Sequence, residues 1–197
     1  MASAPAAPLL LASTSPRRRE ILEQLRVPFD VVAPSYEETE DDPVVHALGK
    51  ARSGLADAGG RPVLGCDTEV VCAGRVYGKP AGPEEAEEML ESLAGRTHEV
   101  VSGLALLTPS WDEVHREVTR VSFRDLTPRD VAWYVASGEW EGRAGGYAIQ
   151  GQGAALVERI EGDYLNVVGL PGALLTTVLE RHAPNLLQTP SETPVPP

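Results

Sequence analysis

The sequence predicts an α/β fold on a mixed, twisted sheet, and three observations carry that prediction. The run Leu9-Leu10-Leu11-Ala12 is long enough for a buried strand and too short for a helix. It passes through Ser13, Thr14 and Ser15 into Pro16 and a stretch whose apolar residues, Ile21, Leu22 and Leu25, recur at helical spacing. Further strand-like and helix-like stretches follow without strict alternation, which favours a mixed sheet over an all-parallel one. With 197 residues, 42% of them hydrophobic, the chain has apolar surface enough for one sizeable core.

Met1 to Pro8 is rich in Ala and Pro and reads as disordered, so the domain spans residues 9–182. Ser15 before Pro16 reads as an N-cap followed by proline at the first helical position. Free backbone N–H groups, the positive end of the helix dipole and Arg17, Arg18 and Arg19 favour an anion there. The competing reading of three adjacent arginines is a solvated helix face. Phe29 to Ala33 reads as a strand running into the acidic segment Tyr36 to Pro43. That segment is either a mobile, self-repelling loop or, through a subset of its carboxylates, a holder of a divalent cation.

Val44 to Ala58 has helical periodicity (Val45, Leu48, Leu55) and carries Lys50. Arg61 to Val71 is a strand interrupted by Asp67 and Thr68. A carboxylate inside an apolar run is paired or functional, because burying it alone is expensive. Gly74-Arg75 suggests a hairpin turn, with Tyr77 to Pro80 ending its second arm. Pro83 to Leu93 is an acidic amphipathic helix facing Ala86, Met89, Leu90 and Leu93 inward. Gly95 to His98 turns into the strand Glu99 to Leu107, and Glu113 to Leu126 alternates as a half-exposed strand does. Thr127-Pro128-Arg129-Asp130 caps a helix reaching Ser137, with Trp133 packed in it. Gly142 to Gly153 holds five glycines and can bring backbone close to a ligand. Ala154 to Ile160 and Leu165 to Val168 read as the last strands, followed by a helix to about Arg181. Residues 183–197 read as a disordered, proline-rich tail.

The balance of 17 Lys and Arg against 29 Asp and Glu leaves a formal charge of −12. Such a surface argues against nucleic acid as a partner, and makes a local arginine cluster more informative. Cys66 and Cys72 sit in an apolar run without a Cys/His cluster, so they read as reduced core thiols. No run approaches a transmembrane span, so no membrane partner is expected. The first residues lack the basic start and long apolar run of a signal peptide, which places the protein in the cytoplasm.

Seven stretches taken together resemble the Maf family of nucleoside triphosphate pyrophosphatases. They are Ser13 to Arg18 in ASTSPRR, Lys50-Ala51, GCDT at Gly65 to Thr68, GKP at Gly78 to Pro80, GRTHEV at Gly95 to Val100, AGGYAIQG at Ala144 to Gly151 and NVVGLP at Asn166 to Pro171. The resemblance implies a two-lobed fold related to the inosine-triphosphate pyrophosphatases, with a central cleft between the lobes. It implies hydrolysis of a nucleoside triphosphate to the monophosphate and pyrophosphate, with a divalent cation, Mg2+ or Mn2+, as cofactor. Carried over by position, phosphate binding falls on Ser13, Arg17 and Arg18, the two lysines on Lys50 and Lys79, and the proton acceptor on Asp67. The metal falls on Glu38 and Asp67, and substrate choice on Arg17, Thr68 and Gln150. Asp-Thr after Gly-Cys, the Ile-Gln-Gly pattern and Arg17 resemble the dTTP/UTP group of the family rather than the group acting on 7-methyl-GTP. Family members also suggest a homodimer and a link to arrest of septum formation, so a non-catalytic nucleotide-binding regulator is the alternative from another class. Two departures stand out: Gly49 where relatives usually carry glutamate, and Trp140-Glu141-Gly142-Arg143 before the glycine loop.

The residue chemistry agrees without borrowing from the resemblance. A triphosphate carries about four negative charges near neutrality, which calls for several converging cations, with arginine forks matching phosphate oxygens and lysines acting as point charges. Attack at the α-phosphorus calls for an activated water, hence a fixed carboxylate, a metal-bound water, or both. The amide of Gln150 offers a donor and an acceptor, the complement of the edge shared by uracil and thymine.

Overall fold

The computed structural model describes residues 7–37 and 42–187. Its strands are β1 (Leu9–Ala12), β2 (Phe29–Val32), β3 (Val63–Cys72), β4 (Arg75–Tyr77), β5 (Thr97–Leu107), β6 (Asp112–Phe123) and β7 (Val157–Glu161). Its helices are α1 (Pro16–Gln24), α2 (Pro43–Ser53), α3 (Pro83–Leu93), α4 (Pro128–Val135), α5 (Tyr164–Val168) and α6 (Gly172–His182). Among the described residues, seven strands form one sheet in the order β2-β1-β3-β5-β6-β7, with β4 paired to β3. β2, β1 and β3 run parallel, while β3, β5, β6 and β7 are antiparallel. The mixed α/β sheet expected from the sequence is therefore the one observed.

β1 is apolar throughout because both of its faces are covered. Leu9 and Leu11 join the larger core cluster, whereas Leu10 and Ala12 join a smaller one on the other face. α1 seals the first with Ile21 and Leu22, and α2 the second with Ala47 and Ala51. The chain thus leaves β1 for β2 along one face and returns past it to β3 along the other. The strand order switches at β1, and such a switch opens a crevice at the C-terminal ends of the strands.

Two glycines set how closely α2 approaches the sheet. A Cβ at Gly65 of β3 would lie 2.0 Å from the Ala47 carbonyl oxygen, and one at Gly103 of β5 would lie 2.0 Å from that of Pro43. Gly103 is the cross-strand partner of Asp67. Backbone contact at these two points lays α2 across β3, directly over the carboxylate.

Several elements differ from the sequence reading. Leu165 to Val168 lies in a helix, not a strand, because the Asp163 side chain caps it by accepting from the Leu165 N–H. Trp133 is 46% exposed, while Val131 and Tyr134 are the residues of α4 that point inward. The tail read from position 183 is packed at its start: Pro184–Leu186 forms a 3-10 turn with Leu186 buried. Cys66 and Cys72 are both free and buried, as expected. Among the described residues, no helix is long and apolar enough to cross a membrane.

Candidate active site

The crevice at β1 and β3 widens into a cleft of about 1030 Å³. Its lining comes from the turn Ser13 to Arg18, from His46 and Lys50 of α2, from Asp67 to Val70 of β3, from Lys79, and from the segment Glu141 to Gln150. Ser13, Arg17, Arg18, Lys50, Asp67, Thr68, Lys79 and Gln150, singled out from the sequence, all line it. Glu38 lies outside the described residues.

The opening turn is built to hold cations inward. β1 and β3 pair in parallel at Leu10–Val63 and Leu11–Leu64, so the end of β1 arrives level with the Asp67 end of β3. Ser13 Oγ accepts from the Ser15 N–H and from Arg18 Nη1, each at 3.2 Å. Ser15 itself makes no side-chain cap, so the first turn of α1 keeps N–H groups available beside the cleft. Arg18 is buried and donates through Nε to the Gly169 carbonyl at 2.9 Å. Arg17 Nη2 reaches the Gly142 carbonyl at 3.3 Å, tying the opening turn to the glycine-rich segment. Arg19 points outward and is exposed, so the solvated-face reading holds for one arginine of the three.

Asp67 sits where the sheet meets α2. Lys50 Nζ lies 2.5 Å from one carboxylate oxygen, Oδ1, and His46 Nδ1 lies 3.3 Å from the other, Oδ2. All three side chains are largely buried, at 16%, 11% and 7% exposure for Asp67, Lys50 and His46. The helical spacing of four puts His46 and Lys50 on one face, one turn apart. Asp67 and Glu69, two apart on β3, share a face by the strand's period of two. Thr68 points the other way, 2.9 Å from Ser102 Oγ, and donates to the Gly169 carbonyl at 3.4 Å. Cys66 also donates to that carbonyl, at 3.5 Å. Its thiol is pushed up by burial, against the opposing pull of Arg18.

The segment carrying Gln150 is pinned from behind. His98 Nε2 and Tyr147 Oη are 2.8 Å apart, with both rings packed edge-on against Phe123. Tyr134 Oη accepts from the Ala148 N–H at 2.8 Å. Gln150 itself is exposed at the cleft's rim. The departures noted in the sequence find physical causes here. A Cβ at Gly49 would lie 2.2 Å from the ring of Tyr36, so the missing side chain makes room for that ring in the cleft wall. Arg143 lines the cleft as a further cation, its Nη1 buried without a hydrogen-bond partner among the described residues.

His46, Asp67 and Glu69 offer one nitrogen and two carboxylate oxygens within 4.8 Å of one another, a donor set that fits a divalent cation. Sequence reasoning missed His46 and Glu69, although both carry a signal: four residues before Lys50 on a helix, and two after Asp67 on a strand.

A model of the Maf-like protein family matches residues 8–182. The chain belongs to the Maf family. Among Maf relatives, a protein of Gloeobacter violaceus named dTTP/UTP pyrophosphatase is 48% identical over 178 residues, covering 87% of this chain and 94% of its own length. One of the same name from Moorella thermoacetica is 50% identical over 175 residues, 83% and 89% of the two chains. Another from Pyrococcus furiosus is 41% identical over 181 residues, with coverage of 87% and 94%. The solved structure of the Staphylococcus aureus Ham1 protein superimposes on 60% of this chain and 73% of its own, at a TM-score of 0.46 and 16% identity.

Proposed function

We propose that this chain hydrolyses dTTP and UTP to the nucleoside monophosphate and pyrophosphate. The observation that supports it best is Asp67, fixed between Lys50 and His46 in a cleft that also receives Arg17, Arg18, Lys79 and Arg143. The relatives' shared name, at 41–50% identity over most of the chain, points to the same substrates.

In this reading the triphosphate lies against the opening turn of α1. The N–H groups there, Arg17 and the remaining donors of Arg18 take up phosphate oxygens. Lys79 and Arg143 add charge from the far lining, and the joint field disperses negative charge as the bond from the α-phosphorus to the bridging oxygen breaks. Asp67 orients a water for attack at that phosphorus and accepts its proton. Lys50 holds the carboxylate in place through Oδ1, leaving Oδ2 toward the cleft. Thr68 and Gln150 face the base, with the amide of Gln150 matched to the acceptor and donor of a uracil or thymine edge. A divalent cation, Mg2+ or Mn2+, held by Asp67 with Glu69 and His46, would supply Lewis-acid polarisation of the phosphate oxygens. Glu38 stays a candidate ligand on the grounds of resemblance alone.

Pyrophosphate release from dTTP, UTP, CTP and 7-methyl-GTP, measured with each cation present, tests the proposal. Turnover of dTTP and UTP above the other two is expected. No release from either defeats it, and preference for 7-methyl-GTP reassigns the chain within the family.

A further inference from the structure

We infer, building on the reading above that a cation assists at Asp67, that His46 ligates this cation through an imidazole nitrogen and so makes the site prefer Mn2+ over Mg2+. The contact between His46 Nδ1 and Asp67 Oδ2 is 3.3 Å. A histidine and a carboxylate that simply share a proton draw closer, and elsewhere in this molecule they do: Glu113 lies 2.6 Å from His115 Nε2 and 2.6 Å from His182 Nε2. Two ligands of one ion, each bonded at about 2.2 Å and at right angles, stand about 3 Å apart. The His46–Asp67 separation suits the edge of a coordination shell better than a charge-assisted hydrogen bond.

The surroundings agree. His46 lies on the helix face that also carries Ala47 and Ala51 into the core, and its side chain is 7% exposed. An aliphatic residue would pack there without the cost of desolvating a ring nitrogen, so the imidazole needs a polar role. Lys50 occupies Oδ1 of Asp67, which leaves Oδ2 on the His46 side. Glu69 brings its carboxylate into the same group from the next position on that face of β3. The chemistry of the set then decides the ion. Of the two ions considered, Mg2+ is the stricter oxygen-ligand ion and keeps its waters, whereas Mn2+, at the start of the transition series, gives up water more readily and tolerates an imidazole nitrogen better.

The test uses the purified full chain with Mn2+ or Mg2+ alone, then with UTP. Mn2+ binding is followed by electron paramagnetic resonance, with electron spin echo modulation reporting nitrogen directly coordinated to the ion. Wild type is expected to show that nitrogen coupling. His46→Leu, which suits the apolar packing, should lose the coupling and weaken Mn2+ binding by about tenfold or more, while Mg2+ affinity changes less than about twofold. His46→Gln keeps a polar side chain within reach of Asp67 but offers no ring nitrogen, so it should also lose the coupling and the preference for Mn2+. Thermal unfolding of both variants checks that the fold is intact. Mn2+ bound without nitrogen coupling in wild type, coupling that survives in folded His46→Leu, a His46→Gln variant that keeps the Mn2+ preference, or no Mn2+ binding at all each overturns the inference. Pyrophosphate release measured in parallel keeps the two proposals apart. An active enzyme with no nitrogen signal loses only the His46 assignment, and an inactive one loses the pyrophosphatase reading.

Discussion

His98 gives a quantitative handle on the wall behind the cleft. It is 1% exposed, edge-on to Phe123 and 2.8 Å from the Tyr147 hydroxyl, and burial lowers its pKa from an ordinary 6.5 to about 4. Because the folded value is depressed, the unfolded chain binds the proton first as the pH falls. The neutral imidazole's contribution is therefore complete above pH 6.5 and is drained as the pH drops toward 4. A group titrating near those two values costs the fold about 2–3 kcal/mol between pH 8 and pH 4.5. His98→Gln keeps a group able to reach the Tyr147 hydroxyl but does not titrate. Urea unfolding of both proteins at pH 8 and pH 4.5 should show wild type losing about 2–3 kcal/mol more than the variant, whatever their offset at pH 8. Equal losses, within about 0.5 kcal/mol, would show that His98 is not the titrating group.

Asp67→Asn is expected to lower kcat for UTP by about 10²- to 10⁴-fold while calorimetric affinity for the nucleotide changes only severalfold; surviving turnover would place the base elsewhere. Gly65→Ala puts a methyl group against the backbone of α2, so unfolding free energy should drop by about 1–3 kcal/mol and turnover should fall with it as Lys50 is pushed off Asp67. Arg18→Lys cannot satisfy both the Gly169 carbonyl and Ser13 Oγ. Losing one buried charged hydrogen bond, worth about 1.5–3 kcal/mol, should lower the melting temperature by about 3–12 °C in differential scanning.

Much of this architecture was legible because local chemistry and tertiary context agree. Leu9 to Ala12 is apolar on both faces, and Pro16 after three small hydroxyl residues suits the first position of a helix, so the turn that presents Arg17 and Arg18 was readable. Asp67 was readable as a polar break in a buried strand. Elsewhere a local signal competed with a pattern. Leu165 to Val168 has strand-like composition, yet the Asp163 cap and the turn at Gly169 fix a short helix. Trp133 follows the bulk of its side chain in suggesting burial, but α4 turns Val131 and Tyr134 inward instead. His46 and Glu69 escaped notice because neither lies in a strong motif; what makes them part of the site is α2 crossing β3, a relation between segments some twenty positions apart. Gly65 and Gly103 matter through the helix backbone that rests on them, a contact between distant segments that no local pattern marks.

That crossing ties two kinds of selection to one helix. Ala47 and Ala51 anchor the smaller core while His46 and Lys50, interleaved with them, face Asp67. A substitution at any of these four positions is felt at once as lost folding energy and as misplaced chemistry, so drift here is penalised twice. Diversification between relatives with different nucleotide preferences is therefore expected to concentrate on the exposed rim positions Glu141 and Gln150, where a side chain can change without unseating the helix.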